Sequence, residues 1–531
     1  MAIRIADISL SLAEEESSLK ERIAEALKIS PNQILDWKIG KKSLDARRKR
    51  RIHFTYSLEV VLSSRVEEKI LQDQTLTVII QKVPDPPIPT IWQIRSNPKY
   101  RPVVAGTGPA GLFAALKLAE AGLTPLILER GKEISARIQD VNAFWGKGIL
   151  EPESNVQFGE GGAGTFSDGK LFTRTHDPRI SEILSAFVRF GAPSEILYLQ
   201  RPHMGTDRLR HVVHAFRKYL QEKGAEFKFE SKVTGLKIFQ GTLQGLIVNE
   251  REEIDTSLLF LAIGHSARDT FRMLSHSGVT MESKPFAIGL RVEHPQALID
   301  RIQYGPAAGH PKLPPAEYQL TYRSSKGRPV YSFCMCPGGA VIGASSEAHG
   351  VVTNGMSSYQ RSSGWANSAL VVHVGQEDFG GEGPLAGMDF QSQWEEKAWQ
   401  SGGGKFQAPG QRVMDFLKGR DSSSLPATSF KPGIVPALMD SCLPHFASAS
   451  LREAFPHFNR KMPGFRSPEA LLIGVETRTS SPLRILRNEG YQSINIRGLL
   501  PVGEGSGYAG GIISSALDGL KAAETVLTQL K

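Results

Sequence analysis

VVAGTGPAGLFAALKLAEAGLTPLILE, residues Val103–Glu129, reads as a strand, a glycine turn, a helix, a second strand and an acid. Gly106 permits a sharp turn after the first strand. Gly108 lets backbone approach a pyrophosphate, and Gly111 lets helix and strand pack closely. Pro109 and Ala110 open the helix, whose free N–H groups and positive dipole end point at the phosphates. Glu129 ends the second strand, where a carboxylate can accept hydrogen bonds from a ribose, and Arg130 follows it. A glycine turn in an ordinary α/β domain would share the glycines but not this flanking order and acid. The stretch therefore predicts a Rossmann-like dinucleotide-binding unit.

The other end of the chain narrows the dinucleotide. GLLPVGEGSGYAGGIISSALDGLK, Gly498–Lys521, reads as a short apolar strand over Leu499–Val502, a glycine-rich turn, and a small-residue helix from about Gly511. This resembles the final motif of two-dinucleotide-fold flavoproteins of the glutathione-reductase-like class. The resemblance implies FAD. It implies a ribityl-side contact for Glu504, beside Gly503, where that class usually carries Asp. It also implies that the backbone of Gly510, Gly511 and Ile512 faces the isoalloxazine.

Three further segments fit the same class. GEGGAGTFSDGK, Gly159–Lys170, stands where that class passes backbone along the flavin, at Gly161, Gly162 and Gly164. Gly205–Val233 reads as a helix capped by Thr206 or Asp207, followed by a strand, FKFESKV, with Val233 at the adenine position. LLFLAIG, Leu258–Gly264, is an apolar strand ending at Gly264, similar to an A-T-G segment with Ile263 for Thr. With RPHMGTDRL, KPFAIGLRVEHPQ, SFCMCPGG and GVETRTSSPLRILR, these resemble a family of uncharacterised FAD-dependent dehydrogenases with a small N-terminal domain. The match covers nearly the whole chain and implies a cofactor but no substrate.

Composition agrees. A chain of 531 residues holds two to four domains. Its 40% hydrophobic and 22% charged content is that of a globular protein, and no apolar run has the length of a membrane span. Three cysteines cannot frame a disulfide scaffold, so a reducing cytoplasm is expected. MAIRIADISLSL reads as a strand rather than a targeting peptide. Part of the net charge of +9 lies in Lys41–Arg51, KKSLDARRKRR. That run fits a solvated hairpin end, or a patch for nucleic acid; no aromatic stacking motif accompanies it.

Residues 1–83 follow the order βαββαβ: strand Ile3–Leu12, helix Ser17–Leu27, strands Ile34–Ile39 and Arg51–Leu62, a helix around Val66–Leu71, and strand Thr75–Ile80. That order predicts a ferredoxin-like α+β domain. A proline-rich run, VPDPPIP, Val83–Pro89, reads as a stiff linker, taken as residues 84–99. The FAD-binding Rossmann-like domain takes residues 100–285 and 465–531. Residues 286–464 form an inserted α+β cap domain, with helices expected at Phe390–Gln400 and Gln411–Leu417. No second strand–GxGxxG–helix unit follows, so no dedicated NAD(P)H domain is expected.

Candidates for chemistry are fewer. Cys334-Met335-Cys336 on a strand would put both thiols on one face. The pair reads as small apolar filler or as a redox couple; the CxxC spacing of familiar flavin disulfide enzymes is missing. Cys442 reads as structural. His203, His265 and His294 each fit a proton-transfer role or a hydrogen-bonded structural one. Arg478 and Arg484 fit an anion site or surface ion pairs. No Cys/His ligand spacing recurs among the thirteen histidines, so no metal site is expected. Taken together, the sequence predicts an FAD-dependent oxidoreductase acting on a small-molecule substrate or electron donor. The alternatives are a flavin-dependent RNA-modifying or RNA-binding protein and a non-catalytic redox sensor. The oligomeric state stays open.

Overall fold

The computed structural model describes residues 2–73, 75–83, 92, 94 and 98–531. Most of the expected linker, residues 84–91, 93 and 95–97, lies outside the described residues.

The N-terminal unit comprises strand Ala2–Ser11, helix Leu19–Leu27, strands Ile34–Asp45 and His53–Leu62, helix Ser64–Gln72 and strand Ile80–Lys82. Its sheet is antiparallel with the order second–third–first–fourth, the ferredoxin-like arrangement. Leu19, Ile23 and Leu27, one helix face at i, i+4 and i+8, bury against Ile3, Ile5, Leu58 and Val60. Two expected strands shift. The second runs on to Asp45 rather than stopping at Ile39, paired through Asp45↔His53. Ladder hydrogen bonds need no apolar side chains, so the polar tail KKSLD gave no period to read. The fourth strand is Ile80–Lys82 instead of Thr75–Ile80.

A parallel five-stranded sheet forms the Rossmann-like unit, in the order Leu499–Pro501, Leu259–Leu261, Val103–Ala105, Leu126–Leu128, Glu226–Lys228. Alternate residues serve two cores. Val104, Ile127, Phe260 and Leu500 bury under the helices Pro109–Glu120 and Ile512–Gln529. Val103, Ala105, Leu126, Leu128, Leu259 and Leu261 face Leu243, Leu246 and Val248 of a three-stranded antiparallel sheet. The expected strand FKFESKV divides: Glu226–Lys228 closes the parallel sheet, and Val233 opens the antiparallel one.

A seven-stranded sheet lies in the inserted region. Its order is Thr321–Arg323, Pro329–Cys336, Trp365–Val374, Phe286–Pro295, Leu471–Glu476, Ala408–Arg412, Ile434–Pro436. Because Leu471–Glu476 pairs with Phe286–Pro295, this sheet extends past the expected limit at residue 464. The two expected helices are Ala386–Ser401 and Val413–Lys418; Gln411 lies in the strand Ala408–Arg412 instead of opening a helix. The N-terminal hairpin docks on the larger body: the Lys42 N–H donates to Tyr198 O at 2.8 Å and the Gln200 N–H to Lys42 O at 2.9 Å. No helix among the described residues is long and apolar enough to cross a membrane.

Candidate functional site

The carboxyl ends of four of the five parallel strands open on one cavity of about 1600 Å³. Strand order reverses beside Val103–Ala105, where Leu126–Leu128 lies on one side and Leu259–Leu261 on the other. A crevice forms at such a point because successive crossover helices leave to opposite faces. Gly106 turns there with φ +108, and a Cβ on it would stand 2.3 Å from Ala262 O. Gly111 packs against Gly106 O, which leaves a Cβ no room. Gly108 opens toward the cavity, with Gly162 Cα as its only close neighbour.

Glu129 ties this corner together. Its Oε2 accepts from Thr107 N–H at 3.0 Å and from the Thr107 hydroxyl. Its Oε1 accepts from the N–H groups of Gly131 and Gly159, both at 3.0 Å. A carboxylate offers about four lone-pair sites, and all are taken by the chain itself. Glu129 lines the cavity and also clasps three glycine-bearing loops. Arg130 likewise lines the cavity while committed to Asp269, at 2.9 Å through both nitrogens, and stacked 3.9 Å over the Phe158 ring.

The C-terminal turn meets the first helix. Gly503 takes φ +78 against Ala110 Cβ, and Gly519 sits on Ala110 O. The helix Ile512–Gln529 thus runs beside Pro109–Glu120, and both N-termini open on the same cavity. Beside them His265 Nε2 stands 3.9 Å from Glu504 Oε1. Burial, with Arg478 and Arg268 nearby, pulls the His265 imidazole down to about 3. Burial pushes the Glu504 carboxyl up to about 7, with Lys284 opposing and Cys334 adding to the rise. At neutral pH the two are a neutral imidazole and a half-protonated acid, not an ion pair.

Of the cofactor residues expected from sequence, Gly106, Gly108, Pro109, Ala110, Glu129, Arg130, Gly162, Gly164, Val233, Gly264, Gly503, Glu504, Gly510, Gly511 and Ile512 line the cavity. Gly111 and Gly161 stand behind it as packing glycines; the Gly161 N–H donates to Thr107 Oγ1 at 3.3 Å. Thr206 and Asp207 do not cap their helix. Thr206 Oγ1 donates to Thr165 O at 2.6 Å and Asp207 Oδ1 accepts from Tyr359 N–H at 2.7 Å, so both are spent on tertiary contacts.

The chemistry candidates separate. His265, Cys334 and Arg478 line the cavity; His203 does not, being stacked on Tyr359 at 5.6 Å. His294 is wholly buried on Phe465 O at 2.7 Å. Arg478 is not free for an anion: Glu395 engages it at 3.0 and 3.1 Å, and the same carboxylate holds Arg268. Arg484 pairs with Glu282 at 2.8 Å as a surface ion pair. Cys442 is a buried thiol pushed up to about 12 by burial. A bulge interrupts the strand at Cys334 and Cys336, so Cys334 lines the cavity and Cys336 is buried behind it. Lys170 went unremarked in the sequence, since it closes a glycine-rich loop with no period to mark it. It lines the cavity 3.2 Å from Asp168, and its ammonium donates to Met335 O. Among the described residues no cluster fits a metal ion.

An FAD fits this lining. A Cβ built on Gly264, Gly510 or Gly511 meets nothing within 4 Å, so bare backbone faces open space at the points where a flavin and its phosphates need close approach. His265 Nδ1 is buried without a hydrogen-bond partner in the same wall. Residues 285–479 match a family described as FAD-dependent protein, C-terminal domain-like, and residues 2–61 a domain of unknown function. The chain is 45% identical over 536 residues to an uncharacterized protein of Clostridium beijerinckii, covering 99% of each. Among solved structures it is similar to a flavin-dependent brominase (14% identity, TM-score 0.36, 81% of this chain and 79% of that one). It is also similar to glycine oxidase from Bacillus cereus (11% identity, TM-score 0.36, 82% and 96%). Likenesses this distant assign no reaction.

Proposed function

The chain belongs to a family of FAD-dependent proteins, and from that membership we propose that it is an oxidoreductase exchanging a hydride or electron pair between a substrate and non-covalent FAD. When bound, the flavin supplies a two-electron carrier. The observation that carries the reading is the convergence of two helix N-termini and the Glu504–His265 pair on one cavity.

Each part has a physical task. Gly108 and Ala110 present N–H groups, and the helix that Pro109 opens presents its positive dipole end, to the diphosphate. Gly510, Gly511 and Ile512 present a second positive end, which stabilises negative charge gathering at a pyrimidine edge. Glu504, titrating near neutrality, holds or releases a proton at its carboxyl oxygen under working conditions. His265 stays neutral, and its Nδ1, which has no partner in the protein, is left to hydrogen-bond a ligand. Strand Pro329–Cys336 of the inserted sheet supplies one wall of the site.

Purified protein should be yellow, with about one FAD per chain released intact by heat or acid, since no covalent attachment motif is present. Anaerobic dithionite should bleach it. Colourless, folded protein that refuses added FAD would end this reading.

A further inference from the structure

The strand Pro329–Cys336 pairs with Trp365–Val374 in regular register as far as Phe333↔Ala369, then shifts so that Cys336 meets Asn367. One strand thus spends an extra residue, a β-bulge. Cys334 takes φ +44 there, a left-handed conformation uncommon outside glycine. Cys334 lines the cavity, and Met335 stands between the cavity and the apolar core. Cys336 lies behind it, fully buried, its thiol 3.3 Å from Cys334 O and within reach of the Cys334 sulfur. Two cations are pinned to this short segment: Arg291 donates to Cys334 O at 2.8 Å, and Lys170 to Met335 O. A cysteine serving as filler needs neither bulge, cavity wall nor cations.

We propose that Cys334 and Cys336 form a redox-active dithiol, which reduces disulfide substrates entering the cavity and is restored by electrons from the flavin. The proposal rests on the cavity being the flavin site. Cys334 attacks as the thiolate. A disulfide sulfur of the substrate accepts the attack, its S–S bond breaks, and one substrate thiolate leaves. Cys336 then loses its proton to that thiolate and attacks Cys334. The mixed disulfide breaks, the Cys334–Cys336 bond forms, and the second thiolate departs. Two electrons and one proton from reduced flavin return the pair to thiolate and thiol.

The surroundings favour one thiolate at neutral pH. The hydrogen bond from Cys336 holds the Cys334 thiol well below its usual range, with burial opposing and Lys170 and Arg291 assisting. Cys336 is pushed correspondingly up, as a pair sharing one proton requires. Lys170 stays charged: burial pulls it down, but Cys336, Asp168 and Cys334 raise it above its ordinary value. The carboxylates facing the pair are Asp168, Glu476 and Glu504. Asp168 is held by Lys170 and Arg361, and Glu476 accepts two bonds from Arg291 at 2.8 Å.

The test uses the full chain with its flavin, equilibrated in reduced and oxidised dithiothreitol, quenched in acid, alkylated and weighed as peptides. The Cys334–Cys336 peptide should pass from two labels to none, lighter by two hydrogens, while Cys442 keeps its label throughout. Cys336→Ser should trap glutathione from its disulfide on Cys334, and Cys334→Ser should trap none. Lys170→Met should slow alkylation of Cys334 at neutral pH by roughly tenfold. Two labels at every ratio, or no trapping in Cys336→Ser, would overturn the proposal. Bound FAD is measured separately. Protein that holds FAD but keeps both labels refutes the dithiol alone; protein without FAD refutes the flavin reading.

Discussion

Replacing Glu129 with glutamine should loosen the loops that wall the phosphate end of the cavity. The carboxylate accepts four hydrogen bonds, two of them from Thr107 and one each from Gly131 and Gly159. The amide keeps one oxygen for two of them and turns its NH₂ toward the other two, donor against donor. A bond to a charged acceptor contributes about 1.5–3 kcal/mol, so losing two costs about 3–6 kcal/mol. Thr107→Val removes only the hydroxyl bond and should cost about half as much. At about 1.4 kcal/mol per tenfold, FAD should bind the glutamine variant on the order of 10²-fold to 10⁴-fold more weakly if the loss is expressed on binding. Fluorescence titration of apoprotein with FAD reads this directly, and a melting curve of the apoprotein catches any part expressed as stability. A second titration, with FAD lacking the adenosine ribose hydroxyls, separates two roles. Clasping loops makes the loss equal for both ligands; gripping a ribose confines it to normal FAD. Affinity and melting within about threefold and a degree of wild type would refute the clasp.

Three other perturbations test separate parts. Gly108→Leu should give a folded protein with no bound FAD, because φ is −68 and a Cβ there meets only Gly162 Cα at 4.0 Å; bound colour would show that the phosphates pass elsewhere. Arg291→Met should cost about 3–5 kcal/mol, since Glu476 is left buried without its cation, and adding Glu476→Leu should recover much of it; calorimetry decides. The raised Glu504 carboxyl favours the folded state fully below its unfolded value of 4.5, and that contribution is lost as pH rises through about 7. Glu504→Gln should therefore flatten the melting temperature between pH 4.5 and 7; an unchanged slope would place the carboxyl in water.

The glycine positions were legible because their constraint is local. A turn at positive φ disfavours any Cβ, and Gly106, Gly503 and Gly511 take such turns in the cavity walls, while Gly108 stands there open to close approach. The short, wholly apolar strands were legible as well, since a parallel sheet buried on both faces needs such runs. Glu129 and Arg478 were placed at the cavity, but not their partners. Which atoms satisfy a buried charge depends on what distant loops bring to it.

Chain order, the apolar periods and the two glycine fingerprints at opposite ends of the sequence determined the fold class and the class of cofactor, because both follow from contacts within a few residues. Tertiary structure alone decided the chemistry of the wall. Lys170, Arg291 and Cys334 lie far apart in the chain and meet only when the seven-stranded sheet docks on the glycine-rich loop. The bulge that turns Cys334 outward arises from register against Trp365–Val374. Proton affinity and thiol reactivity are set by burial and neighbouring charge, and neither exists until the chain has folded.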